Sequence, residues 1–313
     1  MALPFDEAAL LRLGCALKDA GYRFVTVTPA THARVNSRPA NAWARDVRDV
    51  FGWSRRFGPG VLRADLLAMA TAAGVVDHDG DGWRSRVRFS TYDDELFVHS
   101  AFPTDAPDTV FLGPDTYRMA DAALAHLRGR AGPVRRAVDI GCGTGAGAIA
   151  VAKRTPGAEV VALDVNPAAL SCARVNAALA GIDNVSVRHG DLRDGLDGWF
   201  DLAVSNPPFM VDQAGRGYRD GGGPDGSELS LAVLDAAMRG LRAGGSLVLF
   251  SGTGIVAGHD PLRAALAHRL AGADFRWTYR EVDPDVYGEE LDGAAYADAE
   301  RIAVVVLEAQ RRS

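Results

Sequence analysis

The segment Asn206-Pro-Pro-Phe209 carries groups that could hold a planar nitrogen. Pro207 and Pro208 fix φ and donate no hydrogen bonds, so the carbonyl groups beside them stay free to accept. Asn206 adds a side-chain carbonyl, and Phe209 adds a flat apolar wall. Two acceptors could hold the hydrogens of an NH₂ group while its plane stacks on the ring. A short apolar run precedes the segment, so we expect it at the carboxyl end of a buried strand.

A second pattern combines an acid with closely spaced glycines. Asp139 is followed by Gly141, Gly143 and Gly145, and then by a helical stretch. Glycines permit a tight turn and close approach of the backbone to a ligand. The same spacing fits a dinucleotide-binding loop. Asp139 favours another ligand, because a carboxylate there can accept from the ammonium group of a methionine moiety, which a dinucleotide lacks.

Two further acids follow the next two apolar runs. Asp164 lies about 20 residues beyond the glycines, where a carboxylate can accept from both ribose hydroxyls of a nucleoside. It could instead cap a helix that begins at Pro167. Asp191 could accept from an adenine amino group or belong to a plain turn. With their neighbours Val165 and Leu192, these acids complete the predicted cofactor pocket.

The elements that must position these residues are short apolar runs alternating with amphipathic stretches. The apolar runs are Ala137–Ile140, Val160–Leu163, Val185–Val187, Leu202–Val204, Ser246–Ser251 and Ile302–Leu307. Ala168–Ala180 and Leu229–Leu241 have apolar residues at helical spacing. Alternating strands and helices predict a mostly parallel sheet with right-handed crossovers, and wholly apolar runs predict strands buried on both faces.

The region before residue 107 lacks the regular alternation of apolar runs and amphipathic stretches, which predicts a separate domain. The pattern predicts helices over Leu10–Ala20 and Val61–Ala73, strands over Phe24–Val27 and Glu95–Ser100, and a hairpin whose turn is Asp77–Gly82. A helix followed by a hairpin is typical of a winged helix. We therefore predict an accessory or substrate-recognition α+β domain over 1–106 and a catalytic domain over 107–313.

Together these motifs resemble those of the class I S-adenosylmethionine (SAM)-dependent methyltransferases, in the amino-methylating branch with an NPPY/F motif. Within that branch they are most similar to the HemK/PrmC-type protein-glutamine N5-methyltransferases. Three further segments share the resemblance: Phe111–Thr116, Asn166–Ala180 and Tyr218–Gly226. The resemblance implies a Rossmann-like, seven-stranded, mostly parallel sheet with an antiparallel C-terminal strand. It also implies SAM as cofactor and methylation of an amide or amino nitrogen, with a protein glutamine as the first candidate.

Other acceptors stay open at this stage. The same NPPF core resembles adenine-N6 and guanine-N2 methyltransferases of nucleic acids, and a small-molecule amine is a third possibility. A non-catalytic nucleotide-binding module and an NAD-dependent enzyme are alternatives of another class. The N-terminal region does not resemble the helical substrate domain of the HemK type. Its arginines, interleaved with aromatic residues, could contact nucleic acid or pack a small domain: Arg34, Arg38, Arg45, Arg48, Arg55, Arg56 and Arg63.

Composition narrows the class of protein further. The 313 residues carry a formal net charge of −6, which argues against non-specific coating of nucleic acid. Cys15, Cys142 and Cys172 form no CxxC pair, which fits a reducing compartment.

An Asp77-x-Asp-x-Asp-Gly start resembles a calcium loop but has Arg88 where a glutamate ligand is required. With no signal-peptide pattern and no long apolar span, we expect a cytoplasmic protein without a bound metal.

Overall fold

The computed structural model describes residues 5–192, 196, 198–212 and 215–313. Contacts between residues divide the chain into two units. The first unit is the chain through Pro114 together with Gly143–Ala146 and Pro167–Asp183. The second unit is Asp115–Cys142, Gly147–Asn166 and Asn184–Ser313. The domain boundary predicted at residue 107 stays a prediction.

Helices and strands alternate through the C-terminal two thirds of the chain. The α-helices are α1 Glu7–Asp19, α2 Pro29–Asn36, α3 Val47–Phe51, α4 Ala64–Ala72, α5 Pro114–Gly129, α6 Ala146–Arg154, α7 Pro167–Leu179, α8 Glu228–Gly240 and α9 Pro261–Leu270. The strands are β1 Val76–Asp79, β2 Gly82–Ser85, β3 Val87–Tyr92, β4 Glu95–Ser100, β5 Arg136–Ile140, β6 Glu159–Asp164, β7 Val185–His189, β8 Phe200–Ser205, β9 Leu241–Ile255, β10 Phe275–Asp283 and β11 Arg301–Arg311.

The first unit is built around α1 and α7. The Asp6 side chain caps α1 by accepting from the backbone N–H of Ala9 at 2.9 Å. Leucines at helical spacing, such as Leu10 and Leu17, face one buried core that also takes side chains from α7. A Cβ at Gly14 would lie 2.7 Å from the Leu179 side chain, so this glycine lets the two helices approach closely.

The N-terminal predictions hold in part. Helix α4 leads into the antiparallel hairpin β1–β2, as the sequence indicated, and the winged-helix likeness stays a prediction. The strand predicted over Phe24–Val27 is wrong. The segment receives hydrogen bonds from the Thr91 backbone and side chain at Phe24 O, at 2.7 and 2.9 Å, and it forms no ladder. Its buried Thr26 hydroxyl pairs instead with the hydroxyl of Ser90 at 2.5 Å.

The second unit contains the seven-stranded sheet, in the order β10-β11-β9-β8-β5-β6-β7. β5 pairs in parallel with β6 and β8, whereas β11 is antiparallel to both of its neighbours. The predicted Rossmann-like fold is therefore confirmed. Every residue of β8 is buried, which explains its wholly apolar run. β10 has no counterpart among the predicted strands, because all of its residues after Phe275 are exposed or only half-buried.

The topology places the predicted site residues at one edge of this sheet. In a parallel sheet the carboxyl ends of neighbouring strands meet, and ligands bind in the crevice outside them. β8, β5, β6 and β7 are adjacent, and each is followed by one of the predicted segments. No helix in the described part of the chain is long and apolar enough to cross a membrane.

Candidate functional site

Asp139 lies within β5 and is almost completely buried. Its Oδ2 accepts from the backbone N–H of Ala148 at 2.8 Å, in the first turn of α6. A Cβ at Gly147 would lie 2.6 Å from that oxygen, so the sequence needs glycine there. Oδ1 is buried and has no hydrogen-bond partner among the described residues. A buried acceptor without a partner is costly, which makes Oδ1 a natural contact for a ligand donor.

Burial also sets the charge of Asp139. Burial and, to a smaller extent, the nearby carboxylate of Asp164 together raise the pKa of the carboxyl to about 7, against the lowering effect of the Ala148 hydrogen bond. A cation bound beside these two acids would lower that pKa, because it stabilises the carboxylate form. The pair therefore favours a positively charged ligand group.

Asp164 is the last residue of β6 and begins the next turn. Its Oδ1 accepts from the backbone N–H of Asn166 at 2.9 Å, in the turn before α7, and a cap on the helix that begins at Pro167 stays a prediction. Val165 beside it is 59% exposed, although it is apolar. Asp191 lies two residues beyond β7 and is exposed, while Leu192 packs against the core of the second unit. The cofactor roles of these residues stay predictions.

The glycine loop adopts the conformation that its sequence demands. The backbone φ angles of Gly141, Gly143 and Gly145 are 70°, 53° and 76°, which residues other than glycine rarely adopt. The backbone N–H groups of Gly141 and Cys142 both donate to the carbonyl of Leu163 at 2.9 Å. The turn from β5 is thus fastened to the end of β6.

Asn176 supports this loop and was not singled out from the sequence. It is fully buried in α7, where its side chain accepts from Val98 N at 2.7 Å and donates to Val98 O at 3.0 Å. It also donates to the Thr144 carbonyl of the glycine loop at 2.9 Å. The signal in the sequence is a polar residue at a core position of an otherwise apolar helix face.

We expect Asn176→Ala to lower the free energy of unfolding by roughly 2–4 kcal/mol, because it leaves three buried backbone groups without a partner. Urea denaturation measures this loss. Asn184→Ala is the matched control: Asn184 also donates to two carbonyls, Thr155 O and Ala158 O, but it is only half-buried and lies in the second unit. An equal loss in both variants would contradict a special role for Asn176.

The segment after β8 presents the predicted acceptor groups. Asn206 follows the last strand residue, Ser205, whose hydroxyl donates to Ile140 O at 2.7 Å and joins β8 to β5. The Oδ1 of Asn206 is buried and has no partner among the described residues. Pro207 and Pro208 add no donor that could satisfy it. A buried amide oxygen without a partner is available to accept from a substrate N–H.

Close packing with glycines fixes the position of Phe209. The ring lies against Gly252 of β9, where any Cβ would overlap it. A Cβ at Gly221 would lie 2.7 Å from the Cα of Phe209, and one at Gly226 would overlap its carbonyl. The chain after the motif folds back, since Gly221 N donates to Met210 O at 2.8 Å. These packing constraints explain the glycine-rich segment noted in the sequence.

Most of the N-terminal arginines have partners within the first unit. Arg45 and Arg55 both pair with Asp49, and Arg63 pairs with Asp65. The side chain of Arg56 pairs with Asp81 and lies over the Trp43 ring at 4.8 Å, and that of Arg48 lies over Phe24 at 5.3 Å. These contacts favour the packing interpretation over nucleic-acid binding for those five side chains. The described residues contain no group of three or more His, Cys, Asp or Glu placed to hold a metal ion.

Comparison with known proteins agrees with this geometry. Residues 119–253 match the family described as the methyltransferase small domain, a span that contains the glycine loop and the Asn206–Phe209 motif. A release factor glutamine methyltransferase of Deinococcus radiodurans is 40% identical over 189 residues, which are 56% of this chain and 63% of that protein. Residues 119–253 are therefore similar in sequence to a methyltransferase domain.

Two further similarities are shorter or more distant. A release factor glutamine methyltransferase of Mycolicibacterium smegmatis is 36% identical over 143 residues, covering 42% of this chain and 50% of that protein. The chain thus spans between half and 63% of the length of these two relatives. A solved transferase of Pyrococcus horikoshii shares the fold with a TM-score of 0.50 at 13% identity, covering 80% of this chain and 82% of that one.

Proposed function

We propose that the protein is a SAM-dependent N-methyltransferase whose acceptor is a glutamine side chain of a protein. The observation that carries the proposal is the buried, unpartnered Oδ1 of Asn206, directly after β8 and in the same motif as Phe209. A primary amide supplies the N–H donors that this oxygen lacks. The relatives named as release factor glutamine methyltransferases make a peptide-chain release factor the first protein to test.

The residues at the sheet edge fit SAM. The unpartnered Oδ1 of Asp139 would accept from the ammonium of the methionine moiety, and the acidic pair of Asp139 and Asp164 suits a cofactor that carries positive charge. Asp164 would accept from the ribose hydroxyls. Exposed Val165 offers an apolar surface that an adenine ring would cover, and Asp191 would accept from the adenine amino group.

SAM, when bound, would supply a methyl group activated by a sulfonium, with the neutral thioether of S-adenosylhomocysteine as the leaving group. An amide nitrogen is a weak nucleophile because its lone pair is delocalised into the carbonyl. Asn206 Oδ1 and the Pro207 carbonyl would accept from its two hydrogens and direct the lone pair at the methyl carbon, while Phe209 supports the amide plane. After transfer the methylated nitrogen would lose one of its protons to solvent. Orientation supplies most of the acceleration.

Calorimetry with SAM and NAD tests the cofactor assignment. We expect one SAM per chain at low-micromolar affinity, about −8 kcal/mol, and no comparable binding of NAD. Tight binding of NAD in place of SAM would overturn the assignment.

Asp164→Ala is expected to weaken SAM binding by about 1.5–3 kcal/mol, the range for hydrogen bonds to a charged group. Leu192→Ala is the control, since Leu192 packs on the core and offers no polar contact. An unchanged affinity in the Asp164 variant would mean that its carboxylate only caps the turn at Asn166.

A further inference from the structure

Tyr287 has an unusual backbone conformation next to the acceptor motif. It lies between β10 and β11 with φ of 56°, a left-handed conformation that large side chains rarely adopt. Hydrogen bonds on both sides hold it there: Val286 N donates to Ile302 O, and Glu290 N donates to Tyr287 O, each at 2.8 Å. Strain of this kind persists only where the surroundings impose it, and it is concentrated at functional sites.

The side chain of Tyr287 is fixed at both ends. Its ring centroid lies 6.2 Å from that of Phe209, with 56° between the ring planes. Its hydroxyl donates to Oδ2 of Asp115, a buried carboxyl in the first turn of α5. Burial raises the pKa of Tyr287 and that of Asp115. The tyrosine therefore keeps its proton at neutral pH and remains a donor to this anchor.

The segment around Tyr287 is also tied to the chain that follows Phe209. Arg219, after the motif, forms an ion pair with Glu290. Val211 N donates to the hydroxyl of Tyr296 at 2.9 Å. Both contacts lie within the second unit. The segment is thus attached both to the Phe209 ring and to the loop that carries it, so it forms a wall of the acceptor site.

The geometry of this wall limits what can lie on Phe209. A purine base stacked between two rings needs nearly parallel faces roughly 7 Å apart, since each stacked layer requires about 3.5 Å. The rings of Phe209 and Tyr287 are closer than this and strongly inclined. Gly252 also lies against the Phe209 ring, and the centroid of the Phe250 ring is 6.3 Å from that of Phe209. A primary amide at the end of a flexible side chain needs only a narrow approach to Asn206.

We propose that Tyr287, anchored by Asp115, determines the specificity of the acceptor site by closing one side of Phe209. Its ring admits a side-chain primary amide and excludes a purine base. This inference rests on the proposed N-methyltransferase function and narrows its substrate class. Asp115 acts through Tyr287 and is a positioning residue.

Ligand-observed NMR on the full chain, saturated with S-adenosylhomocysteine, tests the inference with two probes. One probe is N-acetylglutamine amide. The other is 9-methylguanine, a purine that has an exocyclic amino group and differs from the adenine base of the cofactor. Tyr287→Gly removes the ring and suits the left-handed backbone, so the fold is retained. We expect this variant to bind 9-methylguanine roughly tenfold or more tightly than the wild type does. Tyr287→Phe keeps the ring but loses the hydrogen bond to Asp115, so it should bind 9-methylguanine more tightly than the wild type does and less tightly than Tyr287→Gly does.

Tyr279→Ala is the matched control. Tyr279 lies on β10 and likewise donates to a carboxylate, Asp260 Oδ2 at 2.7 Å, but its partner belongs to the start of α9. This variant should retain wild-type selectivity. The inference is overturned if the wild type binds 9-methylguanine as tightly as the glutamine probe, or if Tyr287→Gly excludes the purine as the wild type does. A wild type that transfers no methyl group to release factor, while Tyr287→Gly gains purine binding, would contradict the proposed function alone.

Discussion

Replacing Asn206 with alanine is expected to lower the turnover of methyl transfer by roughly 100-fold or more. The substitution removes one preorganised acceptor for the target NH₂ group, and losses of that size follow when a single such group is removed from an enzyme site. The affinity for SAM should change little, because Asp139, Asp164 and the glycine loop are untouched. Single-turnover kinetics with labelled SAM, together with calorimetry, separate the two effects.

Asn206→Asp is the sharper form of the same test. It preserves size and keeps an oxygen acceptor at the position that is buried and unpartnered in the structure. Partial activity in the aspartate variant, with near-complete loss in the alanine variant, is the result that an acceptor role requires. Full activity in Asn206→Ala would show that the nitrogen is held elsewhere, and the proposed function would lose its main support.

The second large effect concerns pH and Asp139. Because burial raises the pKa of this carboxyl to about 7, the site without cofactor carries a proton there below neutral pH. Binding of an ammonium group requires the carboxylate, so SAM binding should release a proton in this range. We expect the affinity for SAM to fall by about tenfold per pH unit below pH 7 and to level off above it. Calorimetry at several pH values, in buffers of different ionisation enthalpy, measures both quantities.

Asp139→Asn is the control for this pH dependence. It keeps an oxygen for the N–H of Ala148 and removes the titrating group, so SAM should bind weakly and with little dependence on pH. Asp139→Asn should weaken SAM binding but stabilise the folded protein that has no cofactor bound. The pKa of Asp139 is higher in the folded than in the unfolded chain, so its ionisation disfavours folding as pH rises from about 4 to 7. Without cofactor, Asp139→Asn should therefore unfold at a higher temperature than the wild type at pH 8. A wild-type affinity that stays constant from pH 5 to pH 8 would contradict the role given to Asp139.

The sheet and its motifs were predictable because their signals are local. A run such as Leu202–Val204 is apolar throughout, as a strand buried on both faces must be, and Gly141 marks a turn that only glycine adopts readily. The order of the strands then brought the acids and the NPPF motif to one edge. By contrast, the residues of β10 after Phe275 are exposed or only half-buried and the strand sits at the sheet edge, so its pattern did not stand out.

The side-chain contacts that hold the site residues in place could not be predicted, because each of them joins distant parts of the chain. Tyr287 meets Asp115 across 172 residues, and Asn176 meets Val98 across 78. Gly252 is required only because the Phe209 ring lies on it. The packing of α7 could not be predicted either. In sequence the helix belongs to the region that resembles methyltransferases, but its buried residues share a core with α1.

The most direct test of the central claim is the site of methyl transfer itself. Purified protein would be incubated with labelled SAM, an unmethylated bacterial release factor and, separately, RNA and DNA, and the products analysed by mass spectrometry. We expect one methyl group on a glutamine side-chain nitrogen of the release factor, absent with Asn206→Ala. Transfer of the label to a nucleic-acid base, with none on protein glutamine, would contradict the account.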